Sequence, residues 1–168
     1  MSARSRDRQA VHLHLLRHAD AGDPEAWRGP DEARPLSDKG RAQGERLGAF
    51  LASVGFRPDA IVSSPKVRAA QTAEIVAGAL GTSVSIDERL AGGFGPESLG
   101  ELLRNLGVRR PVLVGHDPDF SELLTDLVGG SRLEMKKGAL CRIDLELPPS
   151  TGDGVLRWLV PPDLLDPS

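Results

Sequence analysis

Apolar positions along this chain follow two rhythms. Val11–Leu16, Ala60–Ser63, Ser83–Ile86 and Pro111–Val114 are short apolar or β-branched runs that each end in turn chemistry, and they predict strands. Helical spacing separates most of them. In "SDKGRAQGERLGAFLASVG", Leu47, Phe50, Leu51 and Val54 recur at i, i+3, i+4 and i+7, with Ser37 as N-cap and Gly55 as stop. A second helix is predicted from Ser64 as N-cap and Pro65 at the first helical position to Gly81. "SLGELLRNLG" offers a Ser98 and Glu101 capping box and a stripe of Leu99, Leu102, Leu103 and Leu106. "DPDFSELLTDLVGG" repeats the pattern, with Asp117 as cap and Phe120, Leu123, Leu124, Leu127 and Val128 facing inward. Two later runs, 139–147 and 155–160, alternate as strands do.

Strands alternating with helices imply a largely parallel sheet covered on both faces, so the expected fold is α/β, a three-layer α/β/α sandwich. Two stretches interrupt the alternation. Residues 20–37 are polar and rich in Pro and Gly, too long for a tight turn, and are a candidate active-site loop. "LAGGFGPE", residues 90–97, is a second, read as flexible rather than as a phosphate cradle because no Gly-Lys-Ser/Thr follows. The Pro-rich tail "VPPDLLDPS" reads as a surface strap.

Composition narrows the class. With 168 residues, 39% of them hydrophobic and 27% charged, the chain suits one domain with one core. The basic start "MSARSRDRQA" reads as a disordered leader, residues 1–10, before a single domain over 11–168. No apolar run nears the ~20 residues of a membrane span, and a net charge of −3 argues against a nucleic-acid partner. The expected location is the cytoplasm. Cys141, the one cysteine, lies in an alternating strand and reads as a small buried residue. His12 and His14 share a strand face; no Cys or acidic neighbour completes a zinc set, and they are expected to be hydrogen-bonded under a covering helix.

Ligands of open α/β sheets bind beyond the carboxyl ends of the strands. There the first strand ends in Arg17-His18, the second leads into a helix bearing Arg68, and the fourth ends in Gly115-His116. Arginines and helix N-termini grip phosphate oxygens, and a neutral imidazole can accept a phosphoryl group. A rival reading takes Asp117-Pro118-Asp119 for the aspartate pair of a magnesium-dependent phosphatase, but it comes late in the chain and Asp117 is wanted as a cap.

"LLRHADA", "RPLSDKGRAQ" (34–43), "SSPKVRAAQTA" (63–73) and "VGHDPDFSELL" (114–124) resemble, in that order, the histidine phosphatase superfamily. The short length and the "RHADA", "RPLS" and "GHDP" forms are most similar to its SixA-type phosphohistidine phosphatases. The resemblance implies a phosphoglycerate-mutase-like fold and a metal-independent phosphatase without cofactors. It makes His18 the transiently phosphorylated nucleophile, with Arg17, Arg68 and His116 completing the phosphate pocket and Arg34 at its rim.

Two departures stand out. Ala19 replaces the glycine most members carry, and the segment after "IDERL" lacks the acid-bearing motif of larger members. Asp20, Glu88 and Glu97 are proton-donor candidates by position. A missing acid matters less when the leaving group is an imidazole, so the expected substrate is phosphohistidine, in a protein. The alternatives are a general small phosphomonoesterase of the same superfamily, or a phospho-ligand binding domain with little turnover.

Overall fold

The structure, a computed structural model, describes residues 8–167, so residues 1–7 of the expected leader lie outside the described residues. Strand β1 spans Ala10–Arg17, and helix α1 spans Asp38–Ser53. Then follow β2 (Ala60–Ser63), α2 (Val67–Leu80), β3 (Val84–Ile86) and α3 (Pro96–Leu106). The chain continues through β4 (Pro111–Gly115), α4 (Asp119–Val128), β5 (Leu140–Glu146) and β6 (Val155–Val160). The strands form one six-stranded sheet in the order β3-β2-β4-β1-β5-β6. The first four run parallel, while β5 is antiparallel to both β1 and β6.

The alternation of β1 builds the two outer layers. Val11, Leu13 and Leu15 join leucines of α3 and α4 on one face of the sheet, around Phe120. Leu16 points the other way, into a core with Leu47 and Leu51 of α1 and Ala69, Ala73, Val76 and Ala77 of α2. The expected three-layer sandwich is thus the observed one. Cys141 is fully buried beside Met135, and burial pushes its thiol up to about 12. The sheet also takes up Ala10, and Gln9 O accepts a hydrogen bond from Leu147 N (3.0 Å), so order begins ahead of the expected boundary at residue 11.

The apolar helix faces follow the expected spacing, but not every helix starts at its expected cap. Ser37 caps α1 as expected, its Oγ accepting from Gly40 N at 3.0 Å. Ser64 does not cap α2, which begins at Val67 behind an extended Lys66. Its Oγ accepts from Lys66 N (3.2 Å) and contacts His116 instead. The capping box at Ser98 does not form, because Pro96, whose ring presets the helical φ, starts α3 earlier behind Gly95. Pro118 holds the N-cap position of α4, and Asp117 just before it supports the first turn, its two carboxylate oxygens accepting from Ser121 N (3.0 Å) and Ser121 Oγ (2.6 Å). Asp119 accepts from Phe94 N at 3.0 Å and pins "GGFG", whose Phe94 is buried against Phe120. Both aspartates of the rival magnesium reading are therefore occupied with backbone. The tail forms a short turn at Pro162–Leu165 that packs on α1.

One glycine holds the entry to the site. A Cβ on Gly40, in the first turn of α1, would collide with the Asp20 carbonyl oxygen, which also accepts from Ser37 N (3.0 Å). Gly40→Ala must push the helix off the segment that follows β1. It is expected to cost about 1–3 kcal/mol, a fall in Tm of roughly 3–10 °C by thermal denaturation.

Candidate active site

The strand order places the carboxyl ends of β2, β4 and β1 side by side, and the chain leaves all three at one edge. His18 N donates to Gly115 O (3.0 Å) and Ser64 N to Val114 O (2.9 Å), which ties the three exits together. Ala19, buried, donates its N–H to Thr72 Oγ1 (3.1 Å), and that hydroxyl donates to Arg68 O (2.7 Å). Thr72 thereby sets the first-strand exit against the turn of α2 that carries Arg68. The expected convergence of Arg17, His18, Arg68 and His116 is what the fold produces.

Each member has a defined orientation. His18 and His116, both 6% exposed, stand with ring centroids 5.3 Å apart. His18 Nδ1 lies 2.7 Å from Ala19 O, and a carbonyl can only accept, so Nδ1 carries the proton and Nε2 keeps its lone pair. His116 Nε2 lies 2.7 Å from Ser64 Oγ. Arg17 Nη1 donates to Met135 O (2.7 Å) and faces Asp117 at 3.4 Å. Arg68 donates through Nη1 to Asp31 O (2.8 Å) and through Nη2 to Asp31 Oδ2 (2.9 Å).

What these contacts leave over is informative. Arg17 Nε, Arg68 Nε and His116 Nδ1 are three of the four buried side-chain polar atoms without a partner among the described residues. Buried polar atoms without partners are costly, and two guanidinium N–H groups with an imidazole nitrogen at these strand ends call for an oxygen-rich ligand. A tetrahedral dianion beside a lone-pair nitrogen meets that need.

Both site histidines are neutral at physiological pH. Burial, then the nearby Arg68 and Arg17 guanidiniums, lower His18 to about 4. Burial, followed by the charges of His18 and Arg68, lowers His116 to about 3. His14, on β1, is lowered by burial to about 4. Between pH 6.5 and about 4 the unfolded chain therefore binds protons on these histidines that the folded chain does not, so stability falls as pH falls through that window. The slope is roughly 1.4 kcal/mol per pH unit for each histidine. Urea midpoints measured from pH 7 to pH 4 are expected to fall steadily, and His14→Phe to flatten the fall.

The other expected site residues are placed as follows. Arg34, 7% exposed, donates to Ala21 O (2.8 Å) and faces Asp31 Oδ1 at 3.3 Å, at the rim. Asp20 accepts from Ser37 Oγ (2.6 Å) and Gly22 N (3.2 Å), with Lys137 at 3.7 Å. The Ser37 hydroxyl above all holds its carboxyl below the usual range, which suits a turn former. Glu88 is exposed on a short 3-10 turn without a partner among the described residues, and Glu97 is exposed in the first turn of α3.

The sequence reading missed Asp31. Its carboxylate, side chain 52% exposed, bridges Arg68 and Arg34 from the loop of residues 20–37, and those two guanidiniums hold it ionised against its partial desolvation. The available signal was its spacing, three residues before Arg34. Thr72 sits inside a quoted block without having been singled out, and Ser64 was expected only as a helix cap. Met135 and Lys137 come from a connection with no pattern.

Residues 13–95 match the histidine phosphatase superfamily (branch 1). An uncharacterized protein of Picosynechococcus is 34% identical over 141 residues, covering 77% of this chain and 82% of that protein. This chain belongs to the histidine phosphatase superfamily. Membership makes it a phosphatase. The mitochondrial serine/threonine-protein phosphatase Pgam5 of Drosophila yakuba is 36% identical over 76 residues, which are 44% of this chain and 24% of that protein. The chain thus matches about a quarter of the length of that curated relative. Among solved structures, the protein histidine phosphatase SixA complexed with tungstate superposes with a TM-score of 0.80 at 23% identity, over 93% of this chain and all of that one. That likeness is one of fold.

Proposed function

We propose that this superfamily member hydrolyses phosphohistidine in a protein, through a phosphoryl group carried on His18 Nε2. The observation that carries the reading is the set of three buried orphan donors, Arg17 Nε, Arg68 Nε and His116 Nδ1, around a histidine whose Nε2 is free. With the Ser64 hydroxyl donating into His116 Nε2, Nδ1 of that ring keeps its proton for a phosphoryl oxygen. The three donors then stabilise charge on the transferring group.

In the first step the P–N bond of the substrate breaks as the bond from phosphorus to His18 Nε2 forms. The substrate ring, protonated on its other nitrogen, leaves as neutral imidazole and needs no acid. In the second step a water oxygen bonds to phosphorus, its proton passes to the ionised Asp31, and the P–Nε2 electron pair returns to the His18 ring. The substrate class rests on the acids: Asp31 is held ionised by Arg68 and Arg34, Asp20 is bound to Ser37, and Glu88 is exposed without a partner among the described residues. None is set to protonate an alkoxide, whereas an imidazole leaving group makes no such demand.

Turnover of a phosphohistidine peptide and of an alkyl phosphate such as glycerol 3-phosphate, each with and without EDTA, tests this reading. A kcat/KM for the peptide higher by about 100-fold or more is expected, unchanged by EDTA, the advantage being what a positioned general acid is worth. Equal or better use of the ester would favour a small-molecule phosphomonoesterase, and tight phosphate binding without turnover a binding domain. Asp31 also competes with the phosphoryl group for Arg68. Asp31→Asn is expected to tighten vanadate about threefold, the scale of a half-exposed ion pair, while lowering kcat at least about tenfold.

A further inference from the structure

A second concave site lies on the α1 side of the sheet, where β1 begins. It is a groove of about 520 Å³ between the carboxyl-terminal end of α1 and strands β1, β5 and β6. His14 at its base precedes His18 by four residues on the same strand, roughly 13 Å at the rise of a strand, so the groove is separate from the His18 cluster. His14 is hydrogen-bonded as expected, to Pro111 O, while α1 ends at Ser53 and the chain turns at Gly55, so Leu47, Phe50 and Leu51 of its last turns border the groove.

The walls are aromatic. Phe56 meets the His14 ring edge to face at a centroid distance of 4.9 Å, and Trp158 of β6 lies at 5.7 Å, tilted by 41°. His14 is 2% exposed and its Nδ1 lies 3.1 Å from Pro111 O, which fixes the proton on Nδ1. Nε2 is then an acceptor. It has no hydrogen-bond partner among the described residues, yet it is not among the sealed, unpartnered atoms, so it is reached from the groove. Burial keeps the ring neutral at physiological pH.

The charges around it are of one sign. Arg57, Arg110 and Arg142 line the groove with His12, and no Asp or Glu does. Arg142 is neutralised by Asp144 at 2.8 Å, but the guanidiniums of Arg57 and Arg110 have no partner among the described residues. Aromatic faces, one buried acceptor and two free guanidiniums at the rim define a ligand by its chemistry: a flat ring, a ring O–H or N–H, and an anionic group. A phosphomonoester is better met by the buried orphan donors at His18, which leaves a carboxylate for these exposed arginines.

We propose that this groove binds a small planar aromatic carboxylate, its ring against Phe56 and Trp158, its O–H or N–H donating to His14 Nε2, and its carboxylate on Arg57 and Arg110. Binding here is independent of the substrate assigned to His18.

The test titrates the whole protein with indole-3-acetate and with its methyl ester, following imidazole ¹⁵N resonances by NMR and heat by calorimetry. The expected result is a shift of the His14 Nε2 resonance with saturation. Binding should weaken about tenfold or more for the ester, and likewise in the surface double variant Arg57→Ala/Arg110→Ala, as for loss of a charge-assisted pair. His14→Phe keeps an aromatic ring and removes the acceptor, and is expected to bind more weakly; a single cooperative urea transition at pH 7 shows that the variant is folded. Three outcomes would overturn the proposal: no His14 shift at millimolar acid, equal affinity for acid and ester, or shifts confined to His18 and His116. Concentration-dependent dimerisation that buries Trp158 would overturn it too, in favour of a second copy of this chain.

Discussion

His18→Ala is expected to lower kcat/KM by about 10⁴-fold or more on any phosphorylated substrate, while inorganic vanadate still binds. The two halves of this expectation have separate causes. Turnover is lost because the substitution removes Nε2, the atom proposed to carry the phosphoryl group. In the proposed scheme His116 does not take over, because Ser64 Oγ, 2.7 Å away, donates to its Nε2 and leaves the proton on Nδ1. Binding survives because Arg17 Nε, Arg68 Nε and His116 Nδ1 are on other chains of contacts: the Met135 carbonyl, the Asp31 loop and the Ser64 hydroxyl hold them without help from the His18 ring. Single-turnover kinetics together with vanadate titration read the two effects apart. Loss of both, with a normal unfolding curve, would mean that His18 is a binding residue rather than the nucleophile.

Arg68→Lys is expected to cost about 100-fold in kcat/KM, although charge is conserved. Arg68 works in two directions. Its Nη atoms tie down Asp31 through both backbone and side chain, at 2.8 and 2.9 Å, while its Nε stays unpartnered on the inside. A lysine has one nitrogen and no fork, so it can serve the loop or the phosphoryl group but not both. Loss of one donor aimed at developing charge is worth about 10²–10³ in rate. The same substitution loosens the loop of residues 20–37, so protease susceptibility there is expected to rise along with the kinetic loss. A lysine variant with full activity would remove Arg68 Nε from the site.

The layers of the fold were legible because burial on both faces writes itself into local spacing. β1 alternates Val11, Leu13 and Leu15 against His14 and Leu16, and α1, α3 and α4 show their leucine stripes, while α2 packs through Ala69, Ala73, Val76 and Ala77. The ends of elements were less legible. Ser64 carries the chemistry of a cap and is claimed by a histidine 52 residues away, and Ser98 loses its capping role to the backbone constraint of Pro96. The four principal site residues stood out because strand ends in a parallel sheet meet at one edge whatever the strand order. Asp31 did not, since its position depends on how a loop without periodicity folds back over α2. The groove at His14 was hidden for a related reason: the sequence shows where an apolar helix face begins, but where the chain turns at the end of that helix depends on Gly55.

The central claim is a covalent one, and it has a direct measurement. Mixing the protein with a phosphohistidine peptide, quenching in alkali and mapping the phosphoryl group by mass spectrometry should place it on His18. It should be stable to alkali and labile to acid, and absent from His18→Ala. A phosphoryl group on another residue, or hydrolysis at full rate with no phosphorylated protein at any quench time, would contradict the account.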